Sequence, residues 1–317
     1  MTAPLYIPVT STIMADSLKF MSEHFSTADA LFIKFNCLPS LHNQFHHLLI
    51  DVIKSSQSLR DTALIAKMEL ESNLKALAFL EQELTNAVHT DESILAERTN
   101  LPANVKRKIC DLINLLSSQL SSIKSPLPPT LTRAYLEASE KDQVEAETVL
   151  SLLTEQKIKL QQHRQTLTEA IDALSQGSPE AINKNTPITQ QSLTQLGMAS
   201  PHIAVILLAM NQMKETISNI GKGIRFTDMV KQRDAVVSKI TDISTSIASQ
   251  QEKIVALKGK IKFINTLHII DNLLKTYTHE YQHVIENFKS FTAQADADFQ
   301  VNAERFIKNL TPISTPW

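Results

Sequence analysis

The chain has 317 residues, and its 31 Lys+Arg against 33 Asp+Glu leave a formal net charge of -2. A balance this even supplies neither the basic footprint of a nucleic-acid binder nor simple electrostatic adhesion to anionic lipid. Only five glycines occur (177, 197, 221, 223 and 259), too few for the turns of a sheet protein this size, so the fold class expected is all-α.

Leu is the commonest residue, and the good helix formers Ala, Gln, Lys and Glu are plentiful, as long helices require. Cys37 and Cys110 are the only cysteines; two distant thiols do not define a disulfide framework, and a bridge between them stays open. The N-terminal stretch MTAPLYIPVTSTIMADSLKF lacks a basic region followed by an apolar one. A secreted protein of this sequence is therefore expected to leave its cell without a standard signal peptide.

Breakers divide the chain into long helical tracts. The first is predicted from about Ser11 to Phe35, before Pro39. A second runs from Ser40 towards Val88, with a seam of Leu59, Ala63, Ala66, Leu70, Leu77, Leu80, Leu84 and Ala87 interrupted only by Asn73. That four-three spacing keeps one stripe facing a partner helix. A shorter tract follows Pro102, from Ala103 to Lys124, and stops at Ser125-Pro126-Leu127-Pro128-Pro129.

From Thr130 to Gln176 the seam is Leu150, Leu153, Leu160, Leu167, Ile171 and Leu174, with Gly177 as a natural C-terminal stop. After a central segment, another tract carries Val230, Val237, Ile240, Ile247, Ile254 and Ile261, mixed with polar Ser244, Gln251 and Lys258. So mixed a seam predicts a weak two-helix coil. The last tract is predicted from Thr266 to Leu310, ending before Pro312.

No Phe occurs between Phe79 and Phe226, while both ends are rich in it. Aromatics fill thick cores, so both termini are expected to share one bundle. The aliphatic tracts between them would extend from it as a long antiparallel coiled-coil stalk. Residues 1–177 and 225–317 then form tail and stalk, and residues 178–224 a small hydrophobic helical head.

Within that head, Ser178-Pro179, Thr186-Pro187 and Ser200-Pro201 read as successive helix starts, each a capping hydroxyl followed by proline. From Asn185 to Met213 there is no Asp, Glu, Lys or Arg, and Ile203–Met210 is continuously apolar. Beyond Met210 the pattern turns one-sided: Ile206, Met210, Met213, Ile217, Ile220 and Ile224 share a face. A helix from Pro201 to Ile220 would be about 30 Å long, close to a bilayer's hydrocarbon core, although Lys214 and Glu215 make it a poor constitutive span. Two readings follow: a buried core helix, or one arm of a hairpin that shows lipid one face and water the other.

With these features the chain resembles the helical pore-forming toxins of bacteria, the cytolysin-A-like superfamily. Within them it is most similar to the B subunit of xenorhabdolysin-type binary toxins. The resemblance rests on the length, the Phe-rich terminal helices, the absent signal sequence, and the IAVILLAM run between tracts ending at Gly177 and beginning near Phe226. It implies a secreted haemolytic virulence factor, soluble until it meets the host cell membrane. There it would pair with an A-type toxin subunit, contact membrane lipid, and assemble into a hetero-oligomeric ring. The membrane-inserting residues would be Ile203, Ala204, Val205, Ile206, Leu207, Leu208, Ala209, Met210, Met213, Ile217, Ile220 and Ile224. Gly177, Gly197, Gly221 and Gly223 would be the hinges of the head. No cofactor, catalytic residue or nucleic-acid partner is implied. This head is less apolar than the tongues of single-component members, so it is expected to need its partner.

One enzyme motif stands beside that reading. His279-Glu280-Tyr281-Gln282-His283 fits H-E-x-x-H, in which two histidines one turn apart bind Zn²⁺ and the Glu activates water. Glu304 is the candidate third ligand. Such peptidases hold substrate against an edge strand, and no strand is predicted. His42, His46 and His47 at helical spacing read as a bundle face. Gly221-Lys222-Gly223 lacks the rest of a phosphate-binding loop. A third reading is an inert coiled-coil scaffold with the central segment as core.

Overall fold

A computed structural model describes residues 6–86, 92–123, 125–176, 187–216, 223–294 and 298–315. Among these residues there are eight helices and no strand, as the glycine-poor composition predicts. They are α1 (Ser11–Phe35), α2 (Pro39–Asn86), α3 (Glu92–Ser122), α4 (Pro129–Gln176), α5 (Gln190–Gln195), α6 (Ser200–Thr216), α7 (Phe226–Thr292) and α8 (Phe299–Ser314).

The tract predicted from Thr266 to Leu310 is broken, since α7 ends at Thr292 and α8 starts at Phe299. Three other differences share one reason: packing overrides a local breaker. α3 begins at Glu92 and runs through Pro102. The proline costs one backbone bond, but Leu101 and Pro102 are buried together with Val105, Ile109, Ile113 and Leu116, so the stripe holds the helix across it. α8 likewise contains Pro312, pinned by the fully buried Leu310 and Ile313 on either side. α7 continues unbroken where two tracts were predicted. Its 67 residues hold no proline, and Phe263, Ile264, Leu267, Ile270 and Leu274 are buried through the expected gap.

The chain divides into two compact units, residues 1–136 with 259–317 and residues 137–258. The first brings both termini together, as the aromatic distribution predicts. Phe25, Phe45, Phe263, Phe288, Phe291, Phe299 and Phe306 share its core. Phe291 stacks on Phe306 at 4.9 Å between ring centres, and Phe288 meets the same ring edge-on at 5.0 Å. The α2 seam is buried from Leu59 to Leu80, with Leu84 half-buried; Ala87 lies outside the described residues. Asn73 is accommodated at the seam because its amide donates to the Glu69 carbonyl one turn back, at 2.7 Å. α3 runs antiparallel to α2, tied by Arg98 to Glu81 at 3.1 Å and by Lys108 to Glu69. The Lys108 bond holds the Glu69 carboxyl below its ordinary range.

In the second unit α4 and α7 run antiparallel: Glu147 of α4 pairs with Lys258 of α7 at 3.1 Å, and at their other ends both helices enter one apolar cluster. Leu167, Ile171 and Leu174 are buried, whereas Leu150, Leu153 and Leu160 are only half-buried. On α7 the core lies one residue before the predicted seam at several points: Met229 and Leu257 are buried where Val230 and Lys258 were expected. Val237 is 42% exposed and its neighbour Val236 takes the core position. The mixed seam therefore closes at its two ends, around α6 and at a small cluster of Ala146 with Ile254 and Leu257, and is looser between them. Cys37 is buried, Cys110 is exposed, and both are free thiols.

Candidate membrane-active head

The central segment sits wholly inside the second unit. Its first helix, α5, starts at Thr189, whose side chain accepts the Ser192 N–H at 3.1 Å while the Thr189 N–H donates to Ser192 Oγ at 2.9 Å. This reciprocal pair satisfies two donors that a helix start leaves open. The start predicted with Thr186 as cap and Pro187 as first helical residue thus lies three residues early, because Thr189 can make both bonds. Gly197, with φ 66°, turns the chain after α5. α6 then begins at Ser200, with Pro201 in its first turn, where proline's missing donor is harmless. Ser178-Pro179, Gly177 and Gly221 lie outside the described residues.

α6 has two unlike faces. Ile206, Ala209, Met210 and Met213 are buried against Leu167, Ala170, Ile171 and Leu174 of α4 and Met229 and Val236 of α7. Ile203, Val205 and Leu207 are half-buried at the edge of that cluster. Ala204 is exposed, and Leu208 is 52% exposed. The face singled out by spacing, Ile206–Met210–Met213, therefore points into the protein, while the continuous run leaves a narrower apolar strip outside. Ile224 is buried in the same cluster but belongs to the non-helical stretch ahead of α7. Ile217 and Ile220 lie outside the described residues. The described helix has 17 residues, about 25 Å at 1.5 Å per residue. No helix among the described residues is long and apolar enough to cross a membrane.

One titratable group borders this cluster. His163 lies on α4 between Leu160 and Leu167, and its buried Nε2 has no hydrogen-bond partner among the described residues. Burial, reinforced by Lys239 of α7, holds its pKa below that of a free imidazole.

The H-E-x-x-H segment occupies a turn of α7 in the first unit. The His279 and His283 rings stand 4.3 Å apart. Glu280 faces two ways: its Oε2 accepts the Thr10 N–H at 3.2 Å, anchoring the stretch that opens α1, and its Oε1 stands 3.9 Å from His283 Nδ1. Among the described residues no group of three His, Cys, Asp or Glu side chains could hold a metal ion. Glu304, on α8, is not brought to the pair. His42 is buried in an aromatic stack, 4.0 Å from the Phe32 ring, with Nε2 3.0 Å from Asp29 Oδ1; His46 and His47 are exposed.

Spacing did not reveal the base of the head. There Ile188 N–H donates to the Ile224 carbonyl at 2.8 Å, and Gly223, with φ 85°, lies against Pro187. The glycine was visible in the sequence, but its partner was not.

No family model matches the chain, and no curated protein matches it in sequence. Solved structures do. PaxB from Photorhabdus luminescens superposes with a TM-score of 0.82 at 14% identity, over 98% of this chain and 96% of that one. XaxB from Xenorhabdus gives 0.74 at 16% identity, over 92% and 95%. A chain of the YaxAB pore complex gives 0.65 at 15% identity, over 96% and 100%. At such low identity these likenesses concern the fold: over nearly its whole length, this chain has the fold of the B subunits of xenorhabdolysin-type binary toxins.

Proposed function

We propose that the chain is the B-type subunit of a binary α-pore-forming cytotoxin. It acts without catalysis, joins an A-type subunit in a hetero-oligomeric ring, and inserts α6 of its head into host membranes. The observation that carries this reading is the division of α6 into a packed face and an exposed apolar strip centred on Ala204 and Leu208. The fold shared with PaxB, XaxB and a chain of the YaxAB pore complex supports it.

The packed face explains why a partner is needed. Lifting Ile206, Met210 and Met213 out of the cluster exposes three large apolar side chains, at roughly 1.5–3 kcal/mol each. A lone subunit therefore keeps α6 closed. Contacts made in the ring, together with burial of the same side chains in lipid, would offset that cost. Lys214, near the end of the helix, can reach the headgroup region with its charge.

The test is dye release from liposomes and lysis of red cells, by this protein alone and with the product of a neighbouring reading frame. Release only in combination is expected. Full release by the chain alone would overturn the binary reading, and none under either condition would overturn the pore.

A further inference from the structure

Two short non-helical stretches meet at Ile188 and Ile224. One, residues 187–189, leads into α5; the other, residues 223–225, leads into α7. The bond from Ile188 N–H to the Ile224 carbonyl joins them at 2.8 Å. Both isoleucines are buried, so water does not compete for that bond. Alongside, a Cβ at Gly223 would stand 2.7 Å from Pro187 Cβ. The crossing closes because residue 223 has no side chain and tolerates a positive φ. Each stretch then runs into an anchored helix start. Thr189 caps α5, and at the other side Arg225 N–H donates to Asp228 Oδ2 at 3.1 Å.

We propose that this crossing is a clasp that ties together the two ends of the α5–α6 segment and sets how readily α6 leaves its cluster. The proposal rests on α6 being the membrane-active helix, and it identifies what restrains it. While the clasp is shut, residues 188 and 224 stay together, and the inward face of α6 stays against α4 and α7. Once it opens, α6 loses an anchor while the α4–α7 pairing keeps its own seam. Opening is then local rather than a melting of the whole unit.

Hydrogen exchange on the full chain, read by mass spectrometry, tests this without any membrane. Gly223→Ala places a methyl group against Pro187 and strains the backbone, so it should force the clasp apart. Amides of residues 200–216 should then exchange roughly tenfold faster than in the native protein, while α4 and α7 keep their protection. Leu193→Ala, which removes packing from the same cluster but leaves the crossing intact, should not produce that selectivity. Unchanged α6 exchange in Gly223→Ala would overturn the clasp, as would equal loss of protection in α4, α6 and α7. Dye release from phosphatidylcholine liposomes is measured in parallel. Selective α6 exchange without release by any variant, partner present, keeps the clasp and removes the pore; partner-dependent release with unchanged exchange does the reverse.

Discussion

The ring of Phe35, the last residue of α1, fills the space that a side chain at Gly259 of α7 would need: a Cβ built there would overlap the edge of the ring. Glycine in a helix interior costs about 1 kcal/mol relative to alanine, and here that cost permits the close approach of an aromatic residue. Gly259→Ala should therefore destabilise despite its better helix propensity. Overpacking of this kind costs typically about 1–3 kcal/mol. A thermal melt should show a drop of several degrees. Adding Phe35→Ala should recover part of it, because the double variant removes the clash. A rise in melting temperature for Gly259→Ala alone would refute this account.

Glu280 bears on the peptidase motif. Its carboxylate already accepts the Thr10 N–H, and glutamine can accept the same bond through its amide oxygen. Glu280→Gln should leave both stability and any lytic activity near native levels, and purified protein should carry no stoichiometric zinc by elemental analysis. Bound zinc together with loss of activity in this variant would restore the enzyme reading.

Burial beside Lys239 places the pKa of His163 below its unfolded value of about 6.5. The unfolded chain therefore binds the proton first. The His163 contribution to stability is present above about pH 6.5 and is lost as pH falls through the lower folded value. The second unit should melt at a lower temperature at pH 5 than at pH 7.5. His163→Gln should narrow that difference, because an amide does not titrate in this range. An identical pH dependence in the variant would assign the effect to other groups.

Tyr281 shows how a buried hydroxyl is managed in the first unit. Its phenol donates to Gln119 Oε1 at 3.0 Å across α7 and α3, and burial pushes its pKa up to about 12. Tyr281→Phe would remove the donor from that half-buried acceptor, costing about 1 kcal/mol. Chemical denaturation should show the loss as a lower midpoint. Gln119→Leu in the Tyr281→Phe background should restore part of it, though not all, since Gln119 Nε2 also donates to Ser58 Oγ at 2.5 Å.

Much of the fold was legible because its information is periodic. The seam from Leu59 to Leu80 and the stripe from Leu167 to Leu174 follow from spacing alone. Pro102, Pro312 and the predicted gap near Thr266 misled because each is a local signal, while the cores around Ile109, Phe306 and Phe263 act over long distances. The candidate site divides in the same way. The apolar character of Ile203–Met210 was plain in the sequence. Spacing also singled out the side carrying Ile206, Met210 and Met213; that this side meets α4 and α7 was not legible, because periodicity marks a face without naming what covers it. The Ile188–Ile224 pairing was wholly hidden, because a backbone bond leaves no mark on side-chain composition.

The functional claim turns on Leu208 rather than on Ile206. Ile206 is fully buried, so Ile206→Asp would place an unpaired charge in the core, and the second unit should unfold or melt far lower. Loss of lysis in that variant would say nothing about membranes. Leu208 is 52% exposed, so an aspartate there stays solvated, and exposed substitutions change stability by about 0.5 kcal/mol or less. In a bilayer the balance reverses: an ionised aspartate at the centre of an inserted helix is disfavoured by roughly 2.5–3.5 kcal/mol on insertion scales. Repeated in every subunit of a ring, that cost should abolish lysis. Leu208→Asp should therefore keep native circular dichroism and melting behaviour yet release no dye in the presence of the partner. Leu208→Met, apolar and similar in volume, should retain release. A stable Leu208→Asp protein with full lysis would remove α6 from the mechanism.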